Sequence, residues 1–309
     1  MPPDKKIRFI INPQSGTTRK EKLRKLIPSV IDHSSYEIDI HYTGKQGHAE
    51  ELSRQAVREK YFMVAVCGGD GTINEAGRAL SGTPTALGII PGGSGNGLAR
   101  HLRVPLNFRK ALRVINHAKI TAIDTFNLNG RIVVNVAGIG FDAYIAWLFP
   151  KKKKRGFRSY ANLVLREFYR YKAAGYMLES EEKKFSGEAF FITVANGSQF
   201  GSGTKIAPRA RLNDGLMDVC IFRKFPMRLS PLLIARMFFN TVDRSKFYHS
   251  FRTQELILKP GITGYKHFKY LPRELHHKLL VHLDGEPVIL HENEIRVKIR
   301  PHSLRVVVP

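Results

Sequence analysis

The order of apolar and polar positions divides the chain into two parts. In the first third, short apolar runs alternate with helical periodicity. Ile7 to Ile11 is an apolar run that ends in the turn-rich Asn12-Pro13-Gln14-Ser15-Gly16, and Leu23, Leu26, Ile27 and Val30 then fall at i, i+3, i+4 and i+7 of a helix. Thr18 and Glu21 have the spacing of a capping box at its start. Tyr36 to Tyr42 alternates as a strand with Ile38 and Ile40 on one face, and Ala49, Leu52 and Ala56 mark the next helix. Met63 to Cys67 is apolar throughout, as a parallel strand covered on both faces requires, and it stops at Gly68-Gly69. Ile73, Ala76, Gly77 and Leu80 resume the helical period, Thr85 to Ile90 is the following strand, and a second glycine cluster comes after it. This β-α-β-α-β-α-β order predicts a parallel sheet with helices on both faces.

Beyond about residue 120 the period shortens to that of strands. Ile123 to Leu128, the turn Asn129-Gly130 and Arg131 to Ala137 predict a β-hairpin, because Asn-Gly suits the positive φ angles of a tight turn. Further strands are expected at Glu188–Ala195, Leu216–Phe222, Gln254–Lys259, Lys278–Leu283, Glu294–Ile299 and Leu304–Val308. Two helices interrupt them: Tyr160–Tyr171, and Pro231–Phe239 with Ser230 as its cap. The fold class predicted is therefore α/β plus all-β, with a parallel-sheet domain over 1–121 and an antiparallel β-sandwich domain over 122–289.

Charge narrows the partners. Fifty Lys and Arg against 26 Asp and Glu leave a net +24, which draws polyanions: nucleic acid, anionic membrane or phosphorylated ligands. No window reaches the roughly 18 apolar residues of a membrane span, and Met1 to Lys6 does not read as a targeting peptide. The expectation is a cytoplasmic protein that adheres to a membrane without crossing it. Cys67 and Cys220 both sit in apolar runs and read as core residues, and the 12 His show no zinc-type spacing and read as surface groups, His276-His277 among them.

The glycine loops carry the chemistry. Gly68-Gly69-Asp70-Gly71-Thr72-Ile73-Asn74-Glu75 follows a strand and opens a helix, so glycines allow close backbone approach while free N–H groups face an anion. Asp70 in its midst makes sense where Mg²⁺ or an acidic proton lies between it and a phosphate. Pro91-Gly92-Gly93-Ser94-Gly95-Asn96-Gly97-Leu98-Ala99-Arg100 repeats the arrangement after the next strand, and two such loops at neighbouring strand ends form one crevice. Neither loop is GxxxxGK[ST] or GxGxxG, which disfavours a P-loop NTPase and an ordinary dinucleotide dehydrogenase. Asp284-Gly285-Glu286 ends a later strand with two acids that a glycine turn can aim into a cleft, or that a plain hairpin would leave in solvent. Asp124 lies inside an apolar strand, where an unpaired charge is costly, and reads as a member of the acid and metal network or as a hydrogen-bonded hinge.

Asn12 to Gly16, Gly68 to Glu75 and Pro91 to Arg100, followed by Asn135 to Asp142, Leu212 to Val219 and Asp284 to Pro287, make six blocks in series. They resemble the diacylglycerol kinase and sphingosine kinase superfamily, in particular its bacterial soluble lipid kinases. NAD kinases and phosphofructokinases share the Gly-Gly-Asp-Gly core, but Asn74-Glu75 and the Ser-Gly-Asn loop look like the lipid-kinase branch. The resemblance implies an NAD kinase-like nucleotide-binding domain, completed by residues 290–309, and a sandwich domain with the site between them. It implies ATP as phosphoryl donor, held by Asn12, Pro13, Gln14, Ser15, Gly16, Thr43, Gly68, Gly69, Asp70, Gly71, Thr72, Ile73, Asn74 and Ser94. It also implies Glu286 as general base with Asp284 in support, although in other branches the acid matching Asp70 is the base, and the sequence leaves that choice open. Mg²⁺ is implied near Asp70 and Asp124, and a structural Mg²⁺ at Asp214 with the carbonyls of Arg211 and Leu216.

The resemblance thus predicts a kinase of a membrane lipid, diacylglycerol-like or a long-chain base, with Asp142 placed to pair with the amino group of the latter. A soluble NAD kinase-like activity and a basic nucleic-acid binder are the competing readings, though no RRM, KH, helix-turn-helix or zinc-finger pattern supports the second. Residues 151–172 hold nine Lys or Arg against one Glu beside a helix with Tyr160, Leu163, Val164, Phe168 and Tyr171 on one side, which suits an anionic membrane surface. The Pro231–Phe239 helix, with Leu232, Leu233, Met237, Phe238 and Phe239, is a second candidate for lipid contact and reads first as core. The expected partners are a membrane lipid and that surface, with a homodimer allowed and no specific nucleic acid.

Overall fold

The computed structural model describes residues 5–16, 20–149, 157–201, 203–261 and 278–309. Thr18, the run Lys151 to Arg155 and His276-His277 lie outside them. The first part runs β1 (Lys5–Ile11), α1 (Lys20–Val30), β2 (Tyr36–Tyr42), α2 (His48–Arg58), β3 (Met63–Gly68), α3 (Asp70–Leu80), β4 (Ala86–Pro91), α4 (Gly97–His101) and α5 (Phe108–His117). Strands β2, β1, β3 and β4 pair in parallel in that order. Every residue of β3 and β4 is buried, which is what their unbroken apolar runs require of strands covered on both faces.

The second part holds β5 (Ile120–Leu128), β6 (Arg131–Val133), β7 (Val136–Gly140), α6 (Phe141–Leu148), α7 (Phe157–Arg170), β8 (Ala174–Glu179), β9 (Lys184–Ala189) and β10 (Phe191–Ala195). It continues through β11 (Gln199–Gly201), β12 (Thr204–Lys205), β13 (Met217–Phe222), α8 (Ser230–Phe238), β14 (Tyr248–Thr253) and β15 (Glu255–Pro260). It closes with β16 (Leu279–Leu283), β17 (Glu286–Leu290) and β18 (Ile295–Val307). A six-stranded antiparallel sheet, β14-β13-β10-β7-β16-β17, faces the antiparallel end of a ten-stranded sheet. Between them Phe126, Ile139, Ile192, Val219, Leu256, Val281 and Val297 form a continuous apolar layer. Each such side chain contributes about 1.5–3 kcal/mol on burial.

The two parts share a sheet rather than a linker. Strand β18 pairs with β5 along its length, with β15 at its first half and in parallel with β4 at Val306. The two strands expected at 294–299 and 304–308 are thus one strand, with a register shift between Arg300 and Leu304 where it passes from one part to the other. The predicted hairpin is cut short for a related reason. Strand β6 ends at Val133, and Val136 already belongs to the second sheet, so the expected strand to Ala137 is two strands in two layers. The single strand expected at 188–195 likewise divides into β9 and β10 on either side of Phe190, which is fully buried. In α8, Ser230 is the first helical residue and makes no side-chain cap.

Candidate active site

Three strand ends place the glycine loops side by side. The Asn12 N–H donates to the Cys67 carbonyl at 2.9 Å and the Gly92 N–H to the Gly68 carbonyl at 2.8 Å, which ties the exits of β1, β3 and β4 together. Asn12 orders its own loop: its Oδ1 accepts the Gln14 N–H at 2.9 Å, its carbonyl accepts Ser15 Oγ at 3.0 Å, and its Nδ2 donates to Thr72 Oγ1 at 2.8 Å. The backbones approach closely enough that a Cβ on Gly16, at φ +63°, would lie 2.1 Å from the Gly92 carbonyl oxygen. Helix α3 starts at Asp70 in the same place, with the N–H groups of Gly71 and Thr72 in its first turn. Thr43 is buried beside the loops and donates its N–H to the Ile11 carbonyl at 3.0 Å. Pro13, Gln14 and Ser94 are exposed on the rim, whereas Ile73 is core and reaches the site with backbone alone.

Two acids of α3 build this half. Asp70 accepts the N–H groups of Gly97 at 2.6 Å and Asn96 at 2.8 Å, capping α4 and fixing the second glycine loop. Burial pushes its carboxyl upward, and those amides and Arg100 pull it back only in part. Glu75 accepts the N–H groups of Gly47 at 2.9 Å and Ala49 at 3.1 Å, so it caps α2 from a different helix. Sequence reasoning included Glu75 in the motif without a role, since its target is 26 residues away.

The turn between β16 and β17 brings the other acids to the same crevice. Asp284, at φ +52° and buried, accepts the N–H groups of Val134 at 3.0 Å, Asn135 at 2.8 Å and Val136 at 3.0 Å. These are the residues where the chain changes sheets, so Asp284 pins that change. Its carbonyl accepts Asn74 Nδ2 at 3.4 Å, which joins the turn to α3. Glu286 is different. Its side chain is 29% exposed, its Oε2 lies 3.3 Å from Arg78 Nη2, and its Oε1 lies 3.8 Å from where a Cβ on Gly71 would be. Burial raises its pKa, Arg78 opposes the rise, and Glu75 and Asp284 add to it. Arg78, which also reaches Glu50 at 3.4 Å, was not predicted; nothing in an Arg in the last turn of a helix marks it in sequence.

The remaining candidates are engaged elsewhere. Asp124 is fully buried and accepts the N–H groups of His302 at 2.7 Å and Gly215 at 2.8 Å, so it ties the 211–216 loop to the irregular point of β18 as a hydrogen-bonded hinge. Asp214 lies with one oxygen 3.3 Å from the Leu216 N–H and the other 3.6 Å from Arg252, while Arg211 is exposed. Among the described residues no three His, Cys, Asp or Glu converge as a metal cluster. The donors present are nonetheless oxygens: Asn135 Oδ1, Asn196 Oδ1 and Gln199 Oε1 are buried without a partner, and Asp70 uses only two of its lone-pair positions. Of these only Asp70 stands at the glycine loops, and its spare lone pairs suit a hard cation carried on nucleotide phosphates better than an all-protein cage.

Two histidines depart from the expectation of surface groups, whereas His33, His117, His249, His291 and His302 are exposed as expected. His282 is buried, with Nε2 3.2 Å from Asp142 Oδ2 and Nδ1 accepting the Gly285 N–H at 3.3 Å. Asp142 also accepts Thr193 Oγ1 at 3.1 Å, so it is already partnered rather than open to an amine. His101 accepts the Ser198 N–H at 3.0 Å, and burial with Lys205 and Arg103 nearby lowers its pKa to about 4, leaving it neutral.

Residues 6–128 match the model of the diacylglycerol kinase catalytic domain, and residues 135–308 match that of the YegS C-terminal NAD kinase beta sandwich-like domain. The chain belongs to the diacylglycerol kinase-like lipid kinase family. Within this family it is 30% identical over 226 residues to the "Diacylglycerol kinase" of Bacillus subtilis (strain 168), covering 71% of this chain and 74% of that one. It is 27% identical to the "Probable lipid kinase YegS-like" protein of Pectobacterium atrosepticum, over 97% of this chain and 95% of that one. A crystal structure of a diacylglycerol kinase from Bacillus anthracis str. Sterne superposes with a TM-score of 0.71 at 18% identity, covering 99% of this chain and 97% of that one, which shows a shared fold. The two matches leave residues 129–134 between them, a stretch that holds β6 and ends at Val134, the first of the three amides that Asp284 accepts. No helix among the described residues is long and apolar enough to cross a membrane.

Proposed function

We propose that this lipid kinase transfers the γ-phosphate of ATP to the hydroxyl of a membrane lipid, diacylglycerol-like or a long-chain base. The observation that carries the reading is Glu286, a partly exposed carboxylate with a raised pKa, set over the N-terminus of α3 where the glycine loops present backbone N–H groups. Amides at the first turn of α3 and the adjoining loops hold the phosphates. Glu286 accepts the proton of the lipid hydroxyl as its oxygen forms a bond to the γ-phosphorus and the bond from that phosphorus to the β,γ-bridging oxygen breaks, releasing ADP. Asp70, with both oxygens occupied by amides, keeps the second loop in place and is a poorer base than Glu286. Mg²⁺, when bound, would neutralise phosphate charge, and Asp70 is the residue placed to hold it. The protein reaches its substrate as a peripheral protein of an anionic membrane.

Labelled ATP incubated with a lipid extract tests this directly: label is expected in the organic phase, and label confined to a water-soluble product would select the NAD kinase-like reading instead. Glu286→Gln is expected to lower kcat by about 10²–10⁴-fold. Nucleotide affinity and melting temperature should stay close to the parent's, and unchanged turnover would remove Glu286 as the base.

A further inference from the structure

Helix α8 overturns the favoured reading of it as core and leaves the lipid-contact reading standing. Of its nine residues only Leu233 is buried, whereas α2, only two residues longer, buries Ala49, Leu52, Ser53 and Ala56. Leu232, Ile234, Phe238 and the adjoining Phe239 are exposed by 50, 51, 47 and 78%. Four large apolar side chains left in water on one short helix are not what folding selects, and such patches mark a surface that something covers.

The charge around the helix says what covers it. Each element packed against α8 brings a cation: Arg228 from the 3-10 turn Met227–Leu229, Arg244 from the 3-10 turn Val242–Arg244, and Lys205 from β12. Residues 223–247 contain six Lys or Arg and one acid, Asp243, which is already paired to Arg209 at 3.0 Å. An exposed apolar helix carried among cation-bearing elements is complementary to a bilayer with anionic headgroups. Helix α7, the other candidate, also exposes Tyr160, Leu165 and Tyr169, but it is anchored: Leu163 and Phe168, with Tyr171 just past its end, pack into a buried aromatic cluster with Phe141 and Phe190, and its cations Arg166 and Arg170 are drawn to the buried Glu167.

We propose that α8 is the membrane-seating surface of this protein, inserting Leu232, Ile234, Phe238 and Phe239 between anionic lipid headgroups. The proposal rests on the lipid-kinase reading and gives it a place of contact. Helix α8 packs on β12, and β12 pairs with β11, which meets α4 beside the second glycine loop and carries Phe200, 6.2 Å from the ring of His282. A bilayer seated on α8 therefore lies one hairpin away from the crevice.

The full chain is tested by co-sedimentation with vesicles of phosphatidylcholine alone and of phosphatidylcholine mixed with phosphatidylglycerol. Binding to the mixed vesicles, weakened by salt, is expected, and the double variant Leu232→Ser/Phe239→Ser should weaken it by about tenfold or more. Because both side chains are exposed, the variant should fold and keep its turnover on a water-dispersed short-chain diacylglycerol. The parallel variant Leu165→Ser/Tyr169→Ser on α7 should bind as the parent does. Unchanged vesicle binding in the α8 variant, or loss of binding in the α7 variant instead, would overturn the proposal. So would sedimentation showing a parent dimer that the α8 variant splits without loss of vesicle binding. Absence of kinase product with every lipid would count against the functional reading and leave the vesicle result standing.

Discussion

In the glycine-loop half, both acids of the motif are occupied. Asp70 and Glu75 each accept two backbone amides and so hold the starts of α4 and α2, which leaves backbone N–H groups and the spare lone pairs of Asp70 at the crevice. In the sandwich half, one turn carries two acids of opposite kinds. Asp284 accepts three amides and is sealed from water, whereas Glu286, two residues on, faces an arginine and the open crevice. The difference teaches that an acid's place in a motif does not assign its chemistry. A carboxylate whose lone pairs are taken by amides builds the site, and one left facing the crevice can accept a proton there.

That distinction breaks first at Asp284. Asp284→Ala leaves three buried N–H groups without an acceptor, each costing about 1–3 kcal/mol, so unfolding by urea should lose about 3 kcal/mol or more. Glu286→Gln should lose less than about 1 kcal/mol in the same measurement, since Arg78 keeps Glu50 as a charged partner. Equal losses for the two variants would erase the contrast.

Asp70→Asn sharpens it on the other side. An amide in that place presents an NH₂ group to one of the N–H groups of Asn96 or Gly97, at a cost of about 1–3 kcal/mol. Thermal melting should show the loss, and nucleotide affinity should fall with it because the second glycine loop is no longer held. A variant with full stability and normal nucleotide affinity that has lost only turnover would instead make Asp70 the reactive acid.

Much of this was legible in sequence because it is local. The apolar runs of β3 and β4 and the glycine clusters after them report burial and close backbone approach within a few residues, and the structure places both loops at one crevice. What was not legible depends on contacts distant in sequence. Glu75 caps a helix 26 residues earlier, and Asp284 holds amides 148 to 150 residues earlier. The exposed face of α8 has an apolar composition that reads as core until its packing partners are known. Asp124 was legible as a buried acid in an apolar strand; its partners, Gly215 and His302, were not.

Asp218, in β13, tests the rule at another buried acid. It is buried like Asp284, yet among the described residues its carboxylate takes no backbone amide and meets Arg252 only at 3.6 Å. Burial pushes its pKa up to about 6 from 3.8. The folded chain therefore keeps a proton that the unfolded chain releases between about pH 4 and pH 6, and stability falls as pH rises through that window. At 1.36 kcal/mol per unit the loss is about 3 kcal/mol at most. Asp218→Asn, equal in shape and uncharged, should match the parent near pH 4, lack the decline between pH 4 and 6, and be the more stable of the two at pH 7 in urea unfolding. If it were instead destabilised at pH 7 as strongly as Asp70→Asn, amide acceptance would not be what separates acids that build this fold from acids it merely tolerates.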